Sequence, residues 1–115
     1  VQNAVAFALR KHEKIVPRIR ERFKARAEPF SRGLKECGWR FAKPEGSCFI
    51  WARPPVRISS LDAVCLMLGR ISLLAAPGSG FGRFGEGYMR FSLTEPEAVL
   101  ADAIKRIKSL EWNRL

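Results

Sequence analysis

Two features that would place this chain in or across a membrane are missing from its sequence. No apolar run approaches the roughly 18 residues that a membrane-spanning helix needs, and the basic start is not followed by the apolar segment of a signal peptide. The sequence therefore predicts no membrane partner and a cytoplasmic location.

Cysteine and histidine are also scarce. Cys37, Cys48 and Cys65 are odd in number and form no Cys-x-x-Cys pair, so neither a disulfide framework nor a zinc site is expected. The single histidine, His12, lies in a basic segment, and we assign it no role. No Ser/His/Asp grouping or pair of carboxylates within one turn is visible, so no catalytic, metal-binding or cofactor-binding residue is assigned to this segment.

Acidic residues are outnumbered by basic ones, 11 to 21, which gives a net charge of +10. The excess lies between residues 10 and 43, where 12 Lys/Arg accompany 4 Glu. A basic helix can bind phosphate backbones, but no aromatic platform or known nucleic-acid motif accompanies this charge. A solvated helix face, or one that meets an acidic partner domain, is favoured over nucleic-acid binding.

Hydrophobic residues are plentiful, at 47%, and in the first third of the chain they recur at spacings of three and four, which predicts helix. We expect a short helix to about residue 11 and a longer, bent one to Cys37, closed by Gly38. Pro17 and Pro29 each remove a backbone donor and should kink or restart it. Helical periodicity begins at Val1 without an initiator Met, which indicates a segment of a longer protein.

The middle of the chain alternates short extended runs with one helix. Residues 39–42 and 47–52 flank Pro44-Glu45-Gly46 and predict a hairpin with a turn there. Ser59 opens a capping box that predicts a helix, which Gly69 should stop. The continuous apolar run from Ile71 to Ala76 predicts a further strand.

The last third predicts a loop, a strand and a helix. Residues 77–87 form a glycine-rich loop, and residues 88–93 alternate as a strand does. Thr94-Glu95-Pro96-Glu97 resembles a second capping box and opens a helix to about Ile107. The predicted fold is α+β, a small, mainly antiparallel sheet with helices packed on one face, preceded by the long bent helix.

The glycine-rich loop contains Gly80-x-Gly82-x-x-Gly85, which matches the dinucleotide-binding pattern. That pattern needs a strand before the loop and a helix directly after it, so that the helix start can hold the pyrophosphate. Here a strand follows, so a dinucleotide site is not expected. The glycines instead indicate a loop that needs positive φ or close backbone approach.

Arg90 is the candidate with the sharpest chemistry. Alternation along its strand sends Met89, Phe91 and Leu93 towards the helices and Arg90 to the opposite face. A guanidinium held on a rigid strand can bind a carboxylate with two parallel hydrogen bonds, which lysine cannot reproduce. The pattern alone also allows an ordinary exposed strand arginine.

Three ordered motifs resemble class I/II (fold-type I) pyridoxal-phosphate-dependent aminotransferases. Ala76 to Gly82, followed by Gly85 to Thr94, resembles the pattern P-G-x-x-F-G, a spacer and G-x-x-x-R-[ILF]-[SN]. Gly38-Trp39 with Pro44 to Trp51 is similar to G-W…P-x-G-[AS]-F-[YF]-[LI]-W. Arg20 to Arg26 resembles the basic helix R-x-x-[YF]-x-x-R. The chain departs from the pattern at Cys48, at Pro29, and at Ser72, where a glycine is common.

The resemblance implies that residues 13–115 form the C-terminal small domain and that residues 1–12 end a helix from the large domain or linker. It implies that Arg90 binds the α-carboxylate of amino-acid and 2-oxo-acid substrates. Residues near that site are then Gly46 and Ser47 in the hairpin, and Pro77, Gly78, Phe81 and Gly82 in the glycine-rich loop.

The same resemblance implies a homodimeric parent enzyme that uses pyridoxal 5′-phosphate. The cofactor would be bound mainly by a large domain that also carries the reactive lysine, so the present segment alone is expected to be inactive. Two alternatives stay open. A non-transaminating relative, such as an acyltransferase or lyase, would share Arg90, and a small basic nucleic-acid-binding module would use the +10 charge.

Overall fold

The computed structural model describes residues 1–114, which form four helices and four short strands. In chain order these are α1 Gln2–Arg10, α2 His12–Glu36, β1 Arg40–Phe41, β2 Phe49–Arg53, α3 Ser60–Ile71, β3 Ala76–Pro77, β4 Met89–Ser92 and α4 Glu97–Ser109. Short 3-10 turns cover Gly78–Phe81, Arg83–Gly85 and Trp112–Arg114. No helix among the described residues has both the length and the apolar character that crossing a membrane requires.

The strands form one antiparallel sheet in the order β1-β2-β4-β3. Trp51 of β2 lies opposite Arg90 of β4, and Ala76 of β3 lies on the other side of Arg90. Arg90 therefore lies on an interior strand of the sheet. The predicted α+β class with an antiparallel sheet is confirmed.

The core lies between one face of the sheet and three helices, as predicted. Alternate strand residues, Ile50 and Ala52 in β2 and Met89 and Phe91 in β4, are buried against the helices. The helices contribute Phe30 and Leu34 from α2, Ala63, Val64 and Met67 from α3, and Leu100, Ile104 and Ile107 from α4. Among residues 1–114, none of the four α-helices contributes a ring or cation contact to the opposite face of the sheet.

The helical prediction for the first third is confirmed in its bounds, but the prolines do not divide the helix. The break falls at Lys11, with φ −111°, whereas α2 runs through Pro17 and Pro29. Burial of residues just after Pro29 holds that part of the helix against the core despite the lost donor. Gly38 ends α2 with φ +79°, and the Trp39 amide reaches back to the Leu34 carbonyl at 3.1 Å, as in a Schellman motif.

The predicted hairpin is present, with shorter strands and a shifted turn. Only Arg40 and Phe41 pair with β2, and the backbone bends at residues 46–48 rather than at 44–46. Ser47 takes up a positive φ of 73° there. The left-handed position falls on Ser47, two residues before β2 begins at Phe49, so the turn comes later in the chain than predicted.

Two predictions around α3 are wrong for related reasons. Gly69 does not stop the helix, which continues to Ile71 and is capped by Ser72 in the left-handed conformation. The predicted strand over residues 71–76 is reduced to Ala76, because Ile71 completes the helix and Ser72 turns the chain. The apolar run reflects packing of side chains such as Ala75 and not strand pairing.

The two predicted capping boxes behave differently. Ser59 caps α3, since its Oγ accepts the Asp62 amide at 3.1 Å. Thr94 does not cap α4, which begins at Glu97 after Pro96. A proline disfavours helical backbone in the residue before it, so the helix starts only after Pro96. The division of the chain into residues 1–12 and 13–115 stays a prediction.

Candidate functional site

The face of the sheet turned away from the helices carries aromatic and basic side chains. Phe49, Trp51 and Arg53 lie on it from β2, and Tyr88 and Arg90 lie on it from β4 and the residue before it. We call these five side chains, together with Phe81 from the glycine-rich loop, the open face. Arg90 thus points as the alternation predicted.

Arg90 lies between two phenyl rings. Its Cζ is 4.2 Å from the centre of the Phe49 ring and 4.4 Å from that of Phe81. At such distances both rings attract the guanidinium through cation–π interaction, which restricts the positions that the Arg90 side chain can take up. Among residues 1–114, no carboxylate forms an ion pair with Arg90 and no oxygen accepts its N–H groups. Within this part of the chain, the Arg90 N–H groups are therefore left with hydrogen-bonding capacity for an external anion.

The remaining open-face residues extend this packing across the sheet. The Trp51 ring meets Phe81 edge-on at 5.4 Å and stacks on Tyr88 at 5.8 Å. The guanidinium of Arg53 covers Tyr88 at 4.4 Å. The contacts thus run from Phe49 through Arg90, Phe81, Trp51 and Tyr88 to Arg53, so that each guanidinium lies against at least one aromatic ring.

An open groove of about 740 Å³ runs between the hairpin and this face. Gly46, predicted to be near the site, lines the groove, whereas Ser47 does not. The lining includes three cations, Arg40, Lys43 and Arg53, and no acidic side chain. The groove is therefore electropositive and apolar together.

The glycine-rich loop brings two of its predicted residues close to Arg90. Pro77 of β3 pairs with Met89, the residue before Arg90 in β4. The Phe81 ring lies against the Arg90 guanidinium. Gly78 is buried at the base of the loop, and Gly82 has φ +108°, a conformation that favours glycine. Two 3-10 turns and then β4 follow, so no helix start is available for a dinucleotide, as the order of elements predicted.

The comparison with protein families identifies the chain. Residues 1–107 match the family "Aminotransferase class I and II". The chain belongs to this aminotransferase family. Members of the family are pyridoxal-phosphate-dependent enzymes, and the resemblance carried by the three motifs is thereby confirmed.

Individual aminotransferases match along nearly the whole chain. LL-diaminopimelate aminotransferase of Oleidesulfovibrio alaskensis is 37% identical over 110 residues, covering 96% of this chain and 28% of that protein. Glutamate-pyruvate aminotransferase AlaC of Escherichia coli is 32% identical, covering 96% and 27%. The aromatic aminotransferase of Pyrococcus horikoshii superposes with a TM-score of 0.81 at 30% identity, covering 90% and 28%. The chain therefore spans about 28% of the length of such aminotransferases.

The open face does not form a cofactor site by itself. The pyridine nitrogen of pyridoxal phosphate is tuned by an acidic partner in many enzymes, and no acidic side chain belongs to the open face or lines the groove within residues 1–114. No group of three His, Cys, Asp or Glu side chains in the same range could hold a metal ion. The residues present supply cations for an anionic group but no acidic partner for the pyridine nitrogen.

Sequence reasoning did not single out Ser60 and Glu86, which join the glycine-rich loop to the start of α3. The Glu86 Oε1 accepts the Ser60 amide at 2.8 Å, and this hydrogen bond is the main reason that the pKa of Glu86 is lowered. Ser60 is 1% exposed, the one buried polar side chain among the described residues. The capping box at Ser59 marked the helix start, but nothing in the sequence pointed to a partner 26 residues away.

Arg26 of the basic-helix motif has a structural contact. Its guanidinium donates to Glu97 Oε1 at 2.9 Å and to the carbonyls of Leu93 and Thr94 at 3.1 and 3.0 Å. This ties α2 to the end of β4 and the start of α4. The side-chain hydrogen bond from Arg26 lowers the pKa of Glu97.

Proposed function

We propose that this chain is the C-terminal small domain of a pyridoxal-phosphate-dependent aminotransferase and that Arg90 binds the α-carboxylate of its amino-acid and 2-oxo-acid substrates. The observation that carries the proposal is the Arg90 guanidinium, which lies against the rings of Phe49 and Phe81 on the open face and has no hydrogen-bond acceptor among residues 1–114. Arg53, the other arginine of the open face, lies over one ring, that of Tyr88, and donates to the Glu86 carbonyl.

The physical advantage of this arrangement is preorganisation. A carboxylate and a guanidinium form two parallel charge-assisted hydrogen bonds when both are planar and aligned. The rings already restrict the Arg90 side chain, so less conformational entropy is lost on binding. The same rings exclude water from the flanks of the ion pair, which strengthens its electrostatic attraction.

In this proposal the domain orients the substrate and the remainder of the enzyme reacts with it. The cofactor, bound mainly outside this chain, serves as the electron sink for the reaction. Arg90 fixes one end of the substrate, and closure of the small domain over it would exclude water and set the geometry for proton transfer. A homodimeric parent enzyme remains part of the proposal.

The residues of the open face do not indicate which side chain the amino-acid substrate carries. The relatives are named for diaminopimelate, for glutamate and pyruvate, and for aromatic substrates. Such substrates share an α-carboxylate and differ elsewhere. Arg90 therefore fits the shared group, and the proposal predicts a common role for it whichever amino acid is used.

Replacing Arg90 in the full-length enzyme that contains this segment tests the role. Arg90→Ala should reduce kcat/KM for amino-acid substrates by an amount equivalent to about 2–4 kcal/mol, because the carboxylate loses two charge-assisted hydrogen bonds. Arg90→Lys should recover only part of the loss, since an ammonium cannot reproduce the planar pair. Steady-state kinetics across several amino acids provides the measurement.

The matched control is Arg70→Ala, which removes an exposed arginine of α3 that has no hydrogen bond among the described residues. It should leave kcat/KM unchanged. An unchanged kcat/KM for Arg90→Ala would exclude the proposed role. If the enzyme consumes amino acids without releasing the matching 2-oxo acid, the non-transaminating alternative is correct, and the Arg90 effect should persist.

A further inference from the structure

We propose that Glu86 is a positioning residue for Arg90, acting through Ser60, Ser79 and Phe81. This inference deepens the proposed function and rests on it where it concerns carboxylate binding. It links the start of α3, on the helical side of the molecule, to a ring on the open face.

The first step is the contact between Glu86 and α3. One carboxylate oxygen accepts the Ser60 amide at 2.8 Å, and the other lies 3.1 Å from the Ser60 Oγ. The amide belongs to the first residue of the helix, where N–H groups lack intrahelical partners and the helix dipole favours negative charge. The carboxylate is thus held at two points by a helix that is itself packed in the core.

The second step is the contact between α3 and the other end of the loop. The Ser60 Oγ accepts the Ser79 amide at 3.2 Å and lies 2.9 Å from the Ser79 Oγ. A hydroxyl has one hydrogen, and donation to the charged Glu86 is the stronger choice for Ser60. Both ends of the segment 79–86 are therefore attached to one buried side chain.

The base of the same loop is closed by backbone contacts. The Gly78 amide donates to the Tyr88 carbonyl at 2.8 Å, and a Cβ added to Gly78 would lie 2.0 Å from the Gly85 oxygen. No side chain fits at that approach, so Gly78 and Gly85 keep the two arms of the loop in contact. The residues between them are then held at their ends by the contacts of Ser79 and Glu86 with Ser60.

Phe81 lies at the tip of this closed segment. Its ring is 53% exposed, so burial in the core does not hold it, yet it covers Arg90 at 4.4 Å and meets Trp51 at 5.4 Å. Its position depends on where the loop is attached. If Glu86 is removed, the arm from 82 to 86 loses its attachment to α3, and the ring leaves the guanidinium part of the time.

The test follows the Nε–H signal of Arg90 by NMR in the 115-residue chain, assigned by its loss in Arg90→Lys. Ring currents from two phenyl faces should shift this proton upfield. Phe81→Leu should move it downfield, and Glu86→Ala should move it in the same direction by at least half as much. Glu95→Ala, which removes another exposed glutamate, should leave it in place.

Carboxylate binding gives the second measurement, with acetate as the probe and the same signal as the readout. Loss of one ring contact should weaken acetate binding about two- to fivefold in Glu86→Ala. Glu86→Gln, which keeps an acceptor for the Ser60 amide, should recover part of the lost acetate affinity. If Glu86→Ala does not fold, Ser60→Ala replaces it, because that variant keeps the amide contact and loses the hydroxyl links.

The outcomes separate the two proposals. A folded Glu86→Ala or Ser60→Ala with an unmoved Arg90 signal overturns the inference, as does a Phe81→Leu that moves nothing. Equal acetate affinity in wild type and Glu86→Ala also overturns it, while the proposed function stands. If acetate does not perturb Arg90 even in wild type, the part of the inference that concerns carboxylate binding fails, and the comparison of signals still decides whether Glu86 positions the side chain. The proposed function is decided separately, by kcat/KM of Arg90→Ala in the full-length enzyme.

Discussion

At the scale of single residues, the chemistry of the site depends on how Arg90 is held. A strand supplies its direction, and Phe49 and Phe81 restrict its plane. An ordinary exposed strand arginine shares that direction but lacks the two ring contacts. The difference comes from one neighbour on the sheet and one from a loop, which is why alternation alone could not distinguish the two readings.

Ser72 is a second residue whose backbone is informative. It caps α3 with φ 51° and ψ 42°, a left-handed conformation that costs residues with a Cβ about 1–2 kcal/mol. Many members of the family carry glycine there, as the resemblance implies. The structure gives this departure a physical cost.

Ser72→Gly should therefore stabilise the chain by about 0.5–1 kcal/mol, since relief of the strain exceeds the added backbone entropy of the unfolded state. Chemical denaturation gives the measurement. Ser72→Ala is the control and should bring no gain, because alanine keeps the Cβ that causes the strain. Equal stability of the glycine and wild-type chains would show that the left-handed cap is not strained.

At the scale of elements, α2 and α4 make the closest helix contact. Gly33 of α2 lies against Ile104 of α4, and a Cβ at Gly33 would lie 2.4 Å from the Ile104 Cγ2. By contrast Gly69, exposed in α3, has no atom within 4 Å of such a Cβ. The absence of a side chain at Gly33 thus permits close packing of α2 and α4, whereas at Gly69 no packed neighbour requires it.

Alanine at these two positions should have opposite effects. Gly33→Ala should destabilise the chain by about 1–3 kcal/mol, because the added methyl group must displace packed atoms of Ile104. Gly69→Ala should stabilise it by about 0.5–1 kcal/mol through helix propensity alone. Urea denaturation of both variants gives the comparison. A stabilising Gly33→Ala would mean that α2 and α4 are less closely packed than the structure shows.

At the scale of the whole molecule, the chain is elongated, with extents of 51, 30 and 23 Å. Helix α1 buries none of its residues, and an apolar stripe continues from the core at Phe23 outward through Ile19, Val16 and Leu9. A stripe of this kind normally packs against another element. The proposal that this is one domain of a larger aminotransferase explains why Leu9, Val16 and Ile19 stay exposed among the residues that the structure describes.

The same proposal predicts that the 115 residues alone neither transaminate nor bind pyridoxal phosphate in a stoichiometric covalent adduct. The reactive lysine is expected in the large domain, and the open face has no acidic partner for the cofactor ring. Absorbance before and after borohydride reduction is the measurement, with the full-length enzyme as the positive control. A stoichiometric band that disappears when a single lysine of this chain is replaced would contradict it.

The sequence by itself determined the order of the elements, the buried face of β4 and the family, because local periodicity and motif spacing are written along the chain. Arg90 was found this way, together with the Ser59 cap and the end of α2 at Gly38. Local patterns wrongly predicted that Gly69 ends α3, that Thr94 caps α4 and that a strand begins at Ile71. At these points a left-handed serine or a proline decides where the helix ends or begins.

Only the tertiary structure decided what surrounds Arg90. Phe49 and Phe81 are 32 residues apart in sequence, and Glu86 reaches Ser60 across 26 residues. Contacts of that separation depend on the sheet order β1-β2-β4-β3 and on the close approach of Gly78 and Gly85. Neither the sheet order nor the approach of the two glycines produces a repeating pattern in the sequence. Both are stabilised by contacts between elements and not by contacts within one element.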